Sequence, residues 1–286
     1  MIEVIAAGMF TTIQDSGRYG YRKWGVPLSG VMDQRSARLA NHLVNNTNDE
    51  AIMEITMTAP ILKFNVDTVI AITGAGFSPS VNGQKISMNK AVQIPKGSVI
   101  KFGKPSYGVR AYLSALGGFS VPKILDSYSF YPNITENFHI KKGNILSINT
   151  SEIPTTDLAN SSVKISKAHF ESPIITVDKG PEFNLLSRGV REKLLHQSFE
   201  ISNDSNRMGY RLSAAENIAA AEIITSSVQP GTVQLTPSGQ IIILMRDCQT
   251  TGGYARILQL TDEAINILAQ KRAGESVRFV LRKLPF

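Results

Sequence analysis

Short apolar runs separated by glycine and proline turns, too close together to hold a helix between them, most limit the folds open to this chain. Thr68-Val69-Ile70-Ala71-Ile72-Thr73 reads as a buried strand that stops at Gly74. Ser80 to Ile86 reads as a hairpin around Asn82-Gly83, the residue types that a type I′ turn needs. Val92–Ile94, Ser98–Phe102 and Arg110–Ser114 continue the series, and Thr232–Leu235, a Pro237-Ser238-Gly239 turn and Gln240–Met245 repeat it near the C-terminus. Strands at this spacing predict a closed or nearly closed barrel and argue against βαβ units. The expected class is mainly β with a few helices.

Three helices are predicted. Asp33 can N-cap a segment whose Ala37, Ala40, Leu43 and Val44 share a face, ending at Asn45-Asn46. Pro181 can start a second, with Phe183, Leu186, Val190 and Leu194 inward. Thr261 or Asp262 can cap a third through Ile265, Leu268 and Ala269, stopping before Gly274. Residues 151–167 are rich in Ser, Thr and Asn and poor in pattern, which marks them as a linker between lobes at 1–150 and 168–286.

The chain has 286 residues, 42% hydrophobic and 19% charged, as in soluble globular proteins. Its densest apolar run, Ile241 to Met245, is strand-sized, so no membrane span is expected. The N-terminus lacks the basic and apolar regions of a signal peptide, and a single cysteine, Cys248, allows no internal disulfide. Cytoplasmic residence is the expectation. Net charge is +7, but the basic residues are scattered in pairs without interleaved aromatics, so nucleic acid is not the expected partner. An anionic substrate or an acidic partner protein fits this balance.

Several familiar site chemistries are not indicated. Gly74-Ala75-Gly76 follows a strand, but Pro79 and the hairpin come next, where a dinucleotide site requires a helix; it reads as a turn. There is no Walker-type loop, so ATP is not expected to have its own Walker site on this chain. His42, His139, His169 and His196 show no ligand spacing, and a metal site is not expected. Cys248 has no evident histidine partner and reads as a small core or loop residue.

Two glycine-rich polar clusters remain. In the first, Gln14, Asp15 and Arg18 lie in one turn-like stretch with Gly17 and Gly20, and Ser29-Gly30 precedes the first helix. Arg18 could grip a carboxylate or acyl-phosphate while Asp15 orients it or accepts a proton. Alternatively the glycines are turns, Asp15 and Arg18 a structural ion pair, and Asp33 only a cap. The second cluster joins Arg207, Tyr210 and Arg211 to Thr250-Thr251-Gly252-Gly253-Tyr254-Ala255-Arg256. Its hydroxyls and amides form a plausible nest for an oxyanion, or else a bulge or hairpin with solvated threonines. A composite site drawing on both clusters accounts for the two together.

These segments resemble the family of C-type 5-oxoprolinase subunits, also called allophanate hydrolase subunit 2 or biotin-dependent carboxyltransferase-like. Thr11 to Gly20 matches its T-[TV]-x-Q-D-x-G-R-x-G opening, and Gly25 to Asp33 its G-V-P-x-S-G-x-M-D element. Ala40-Asn41, Glu54-Ile55-Thr56, Thr73-Gly74-Ala75, Arg110-Ala111-Tyr112-Leu113 and Gly117-Gly118 also agree. So do Arg207 to Arg211, Pro230-Gly231 with Gln234, Gly239-Gln240 and Gln249 to Tyr254. The resemblance implies cyclophilin-like β-barrel architecture in two lobes and obligate A-type and B-type partner subunits.

For activity, the resemblance implies ATP-dependent opening of 5-oxo-L-proline to L-glutamate, with Mg at the level of the complex. Other branches of the family transfer a carboxyl group from carboxybiotin to urea, or antagonise an inhibitor of a sporulation histidine kinase by binding it. A chain of this length without carboxylase or carrier segments fits the oxoprolinase branch best. Asp15, Arg18 and Glu54 are then the candidate catalytic residues. Gln14, Ser29, Arg207, Tyr210, Arg211, Thr250, Thr251, Tyr254 and Arg256 are the candidate substrate contacts. Arg18→Ala is expected to abolish turnover without unfolding the chain. One departure stands out: the family commonly carries a glycine-rich stretch after an R-S-x-x-Y-like element, whereas here Ser127-Tyr128-Ser129-Phe130-Tyr131 leads into Pro132 to Asn137, without the expected glycines.

Overall fold

The computed structural model describes residues 1–149, 163–213 and 223–283. The chain divides into two compact units, Met1–Arg18 with Ser29–Phe170, and Tyr19–Leu28 with Glu171–Phe286. Residues 151–162 of the expected linker lie outside the described residues. The division differs from the expected lobes at two points. His169 and Phe170 fold with the first unit, where Phe170 is buried with its ring centroid 4.8 Å from that of Tyr107. The Tyr19–Leu28 arm folds with the second, and Arg22 donates there to the Val228 carbonyl.

The first unit holds two antiparallel sheets. One runs, in spatial order, Phe119–Ser120, Ile145–Ile148, Ile2–Ala6, Ile61–Phe64, Val99–Phe102, Pro79–Val81 and Gln84–Lys85. The other runs Phe10–Gln14, Ile52–Thr56, Arg110–Ala115, Thr68–Gly74 and Ala91–Ile94. Alternation along each strand sends Ile2, Val4, Leu62, Phe64 and Ile100 of the first sheet, and Ile13, Met53, Ile55, Ile70, Ile72 and Leu113 of the second, into one shared core. Asn82 and Gly83 both take positive φ, 49° and 85°, as the type I′ reading of that hairpin requires.

Every residue of Thr68–Gly74 is buried, because its opposite face is covered as well. Val69 and Ala71 pack there on Leu43 and Val44, at the C-terminal end of α1 (Gln34–Leu43). Asp33 caps this helix through a bond from the Ser36 amide at 3.1 Å. The helix thereby lies over the outer face of the five-stranded sheet, with Ala37 and Ala40 against Tyr112 and Ile52.

The second unit contains the closed barrel: Ile174–Lys179, Ala255–Leu260, Thr232–Leu235, Ile241–Leu244, Gly209–Ser213, Phe199–Ile201 and Ser276–Leu281, the last returning parallel to the first. Strict alternation in Ser276–Leu281 and Phe199–Ile201 turns Val277, Phe279, Phe199 and Ile201 inward. Barrel closure leaves no sheet edge exposed.

Four helices are found among the described residues rather than three, the short α2 (Ala168–Glu171) being the addition. The helix expected from Pro181 is broken. Phe183–Leu185 is a 3₁₀ turn, Leu186 is extended, and α3 (Arg188–His196) begins after a Ser187 cap. Arg256 is the physical reason: its guanidinium and its amide all bind the Glu182 carboxylate, fixing that residue before a helix can start. Thr261 caps α4 (Asp262–Leu268) as expected.

Candidate functional site

Asp15 lies at the end of the Phe10–Gln14 strand and is only 4% exposed. Its Oδ1 accepts from the Gly17 amide at 2.9 Å, Ser127 Oγ at 2.7 Å and Ser129 Oγ at 2.6 Å, and its Oδ2 accepts from the Tyr128 amide at 2.6 Å. A hydrogen bond to a charged group contributes about 1.5–3 kcal/mol, so this set fixes the 127–129 segment firmly. Ser127, Tyr128 and Ser129, just before the Pro132–Asn137 segment, are thus the residues that enclose Asp15.

Arg18 is fully buried and donates to the carbonyls of Ile124 (3.1 Å) and Ser129 (2.7 Å), with Ser29 Oγ 3.5 Å away. Asp15 and Arg18 are bridged by Ser129, which gives its hydroxyl proton to one and its carbonyl to the other. Gln14 completes the arrangement by donating to Thr12 Oγ1 and the Phe130 carbonyl. Glycine serves a close approach here, but between chain segments. A Cβ on Gly30, at φ 88°, would stand 2.9 Å from the Ser16 carbonyl oxygen.

Glu54 belongs to a different arrangement. In the register of the five-stranded sheet Thr12, Glu54, Tyr112 and Thr73 lie directly opposite one another, a polar row beneath the N-terminus of α1. All four are buried. Tyr112 donates its phenol to Glu54 Oε2 at 2.9 Å, the Met32 amide donates to the same oxygen at 2.7 Å, and Arg110 Nε is 3.9 Å from Oε1. Burial first, then the nearby Glu54 and Asp33 charges, pushes the Tyr112 phenol well above its ordinary value, so it remains a donor. The Asp33 amide donates to Tyr112 Oη at 2.7 Å, and His169 Nε2 lies 2.8 Å from Asp33 Oδ2. Beside α1 a small recess is lined by Asp15, Ser16, Val31, Gln34, Ala37, Arg38, Asn41, Asn48 and Ile52.

In the second unit the arginines meet carboxylates. Arg207 forms a two-pronged pair with Asp247 at 2.7 and 2.9 Å, and Arg256 does the same with Glu182 at 3.0 and 2.8 Å. The Arg256 bonds hold the Glu182 carboxyl below its ordinary value, against the effect of burial. Arg211 is exposed and donates to Gln240 Oε1 at 3.0 Å, while Tyr210 is buried with its hydroxyl 3.4 Å from the Lys271 carbonyl.

Thr251 and Gly252 pair with Ser227 and Ser226 in a two-stranded ladder. Thr251 and Tyr254 are exposed and Thr250 is half-buried, so all three hydroxyls reach the surface. Cys248 is buried among Val228, Leu244 and Ile242, and burial pushes its thiol up to about 12 despite the opposing Arg22 charge. A thiol in that state is not a nucleophile at neutral pH.

Gln14, Asp15, Arg18, Ser29 and Glu54 therefore gather in the first unit, and Arg207, Tyr210, Arg211, Thr250, Thr251, Tyr254 and Arg256 in the second. Sequence reasoning missed Ser127, Ser129, Tyr112 and His169 as polar partners in the first unit and Glu182 and Asp247 in the second. Only strand register places Tyr112 opposite Glu54, and no local pattern relates His169 to Asp33, 136 residues away. Asp247 was detectable in principle, as an acid ending a strand beside an arginine-bearing segment.

The family model for the carboxyltransferase domain, subdomain A and B, matches residues 24–281. The C-type subunit of the Escherichia coli 5-oxoprolinase is 32% identical across 98% of this chain and 91% of its own length. The urea amidolyase of Saccharomyces cerevisiae is 30% identical across 98% of this chain, which spans only 16% of that protein. Among solved structures, TTHA0988 superimposes with a TM-score of 0.89 at 26% identity, over 98% of this chain and 56% of its own. The Kluyveromyces lactis urea amidolyase superimposes with a TM-score of 0.87 at 27% identity, over 99% of this chain and 19% of its own. With matching motifs, fold and near-complete coverage, the chain belongs to the carboxyltransferase domain, subdomain A and B, family.

Proposed function

We propose that this chain is the C-type subunit of an ATP-dependent 5-oxoprolinase, opening 5-oxo-L-proline to L-glutamate together with A- and B-type subunits. The observation that carries this reading is the 32% identity to the Escherichia coli C-type subunit over 91% of that protein, with a second such subunit, from Haemophilus influenzae, 29% identical over 90%. The urea amidolyase matches cover a small part of much longer proteins, and their named substrate, urea, also has a carbonyl bonded to nitrogen.

The geometry suggests how the roles divide. Asp15, Arg18 and Glu54, each enclosed by protein donors or acceptors, act as a frame in which Asp15 holds the Gly17 amide, Arg18 the Ser129 carbonyl and Glu54 the Met32 amide. Arg207 and Arg256, already matched by Asp247 and Glu182, brace the second cluster through direct ion pairs. Substrate contact falls to groups that reach the surface: Ser16, Gln34, Arg38 and Asn48 at the recess, and Arg211, Thr250, Thr251 and Tyr254 in the second unit. Their donors suit a carboxylate and the oxyanion that develops when a lactam carbonyl is attacked.

ATP supplies a phosphoryl group that activates the lactam carbonyl. The Gly74–Gly76 turn runs into the Pro79–Val81 strand rather than a helix, so these residues do not fit a phosphate loop. Partner contact is supported by Tyr19, Trp24, Leu185 and Tyr254, which are 41–73% exposed in the second unit.

The test is co-expression with the B-type subunit, addition of the A-type subunit, and assay of ADP and glutamate released on adding 5-oxoproline. Equimolar release that requires this chain is expected. A stable complex without turnover would favour the inhibitor-binding branch, and turnover of urea that avidin abolishes would favour carboxyl transfer.

A further inference from the structure

Three consecutive amides of the loop before α1 are each held by a different acceptor. Val31 donates to the Asp15 carbonyl at 2.9 Å, Met32 to Glu54 at 2.7 Å, and Asp33 to Tyr112 at 2.7 Å. These bonds hold Ser29 at φ 55° and Gly30 at φ 88°. A non-glycine residue stays in that left-handed region only where its surroundings fix it. The Asp33 carboxylate is the loop's remaining handle. Its Oδ1 accepts from the Ser36 amide, and its Oδ2 accepts from the Ser36 hydroxyl and meets His169 Nε2 at 2.8 Å. An ionised carboxylate only accepts, so Nε2 carries the proton.

We propose that His169 is a positioning residue: by holding Asp33 it bolts the Ser29–Asp33 loop in its left-handed shape. The bolt is well seated. His169 and Asp33 have side chains 1% and 0% exposed, Phe170 packs edge-on to the His169 ring at 4.9 Å, and Phe170 in turn lies on Tyr107. Asp33 is thus more than a helix cap, since the same carboxylate ties α1, the loop and α2 together. That the loop belongs to a substrate site rests on the function proposed above; that His169 holds its backbone does not.

Amide exchange on the full chain tests this directly. In His169→Ala, residues 29–36 are expected to exchange about tenfold faster or more, the equivalent of one lost charge-assisted hydrogen bond, while the Ile52–Thr56 and Arg110–Ala115 strands keep their protection. His169→Gln, which can still donate to Asp33, should restore most of it. Unchanged exchange at 29–36, or an equal rise in both strands, would overturn the proposal.

Should the alanine variant not fold, Asp33→Asn keeps the helix cap through its amide oxygen and replaces Oδ2, the oxygen that meets both His169 and the Ser36 hydroxyl, with an amide group. It should give a smaller rise at 29–36, and no rise would again overturn the proposal. In the assembled complex His169→Ala should raise KM for 5-oxoproline more than it lowers kcat, with rescue by Gln; a fall in kcat at constant KM would remove the positioning role. A wild-type complex that does not turn over 5-oxoproline would defeat the proposed function and leave the exchange result standing.

Discussion

The two units bury charge in different ways. In the first, Asp15 is surrounded by two hydroxyls and two amides, and Arg18 by carbonyls; Ser129 joins them. In the second, Arg207 faces Asp247 and Arg256 faces Glu182, charge on charge through two bonds each. The first arrangement orders backbone, because the partners of each ion are main-chain groups and serines from distant loops. The second orders side chains, holding two guanidiniums to two carboxylates. A sequence motif rich in arginine and glycine therefore leads here to two kinds of scaffold.

The sharpest way to break this comparison is to remove Asp15. Asp15→Ala leaves two hydroxyls and two amides without their acceptor and should cost on the order of 5 kcal/mol, read by urea denaturation. A loss below about 1 kcal/mol would show the enclosure to be incidental. Arg18→Ala should also destabilise the first unit by about 3 kcal/mol, since it strands buried carbonyls. This replaces the sequence-based expectation that the variant stays fully folded.

Next come two glycines from the same polar cluster. Gly30→Ala places a methyl 2.9 Å from the Ser16 carbonyl oxygen at positive φ, whereas Gly20→Ala, also at positive φ, meets nothing within 4 Å. The first should cost about 3 kcal/mol and the second about 1 kcal/mol. Equal thermal shifts would mean that Gly30 does not lie against the Ser16 carbonyl.

The charge-paired unit should reveal itself through pH. Glu182 has its folded-state carboxyl held down, chiefly by the Arg256 hydrogen bond. Its contribution is thus complete above the ordinary value of 4.5 and is lost as pH falls through the lower folded value. Glu182→Gln should flatten that acid limb in exchange measurements on the Ala255–Leu260 strand; an unaltered limb would assign the loss to other carboxyls.

The smallest effects should come from the surface and from the buried thiol. Thr251→Ala should change stability by no more than about 0.5 kcal/mol, so any loss of turnover would be attributable to ligand contact. Native Cys248 should react with Ellman's reagent only as fast as the Val228, Ile242 and Leu244 cluster around it opens, because the thiol is both buried and protonated. Rapid labelling would show that this part of the second unit is open.

Much of the fold was legible. Thr68–Gly74, the Asn82-Gly83 turn and the Asp33 and Thr261 caps are local chemistry, decided by residues within a few positions of one another. The broken helix after Pro181 was not legible, because Arg256, some 75 positions later, captures Glu182. Nor was the way the second unit's barrel closes: short strands at similar spacing serve equally well in two sheets sharing a core, and closure depends on the parallel return of Ser276–Leu281 to Ile174–Lys179.

The sequence by itself determined the family, the strand-rich class and which segments would carry polar groups, since these follow from composition, turn residues and ordered motifs. Tertiary structure alone decided what those groups do. Tyr112 reaches Glu54 through strand register, Asp15 is enclosed by serines more than a hundred positions away, and His169 closes on Asp33 from the far end of the unit. Hydrogen bonds act over about 3 Å whatever the distance along the chain, and only the folded chain sets which groups come that close.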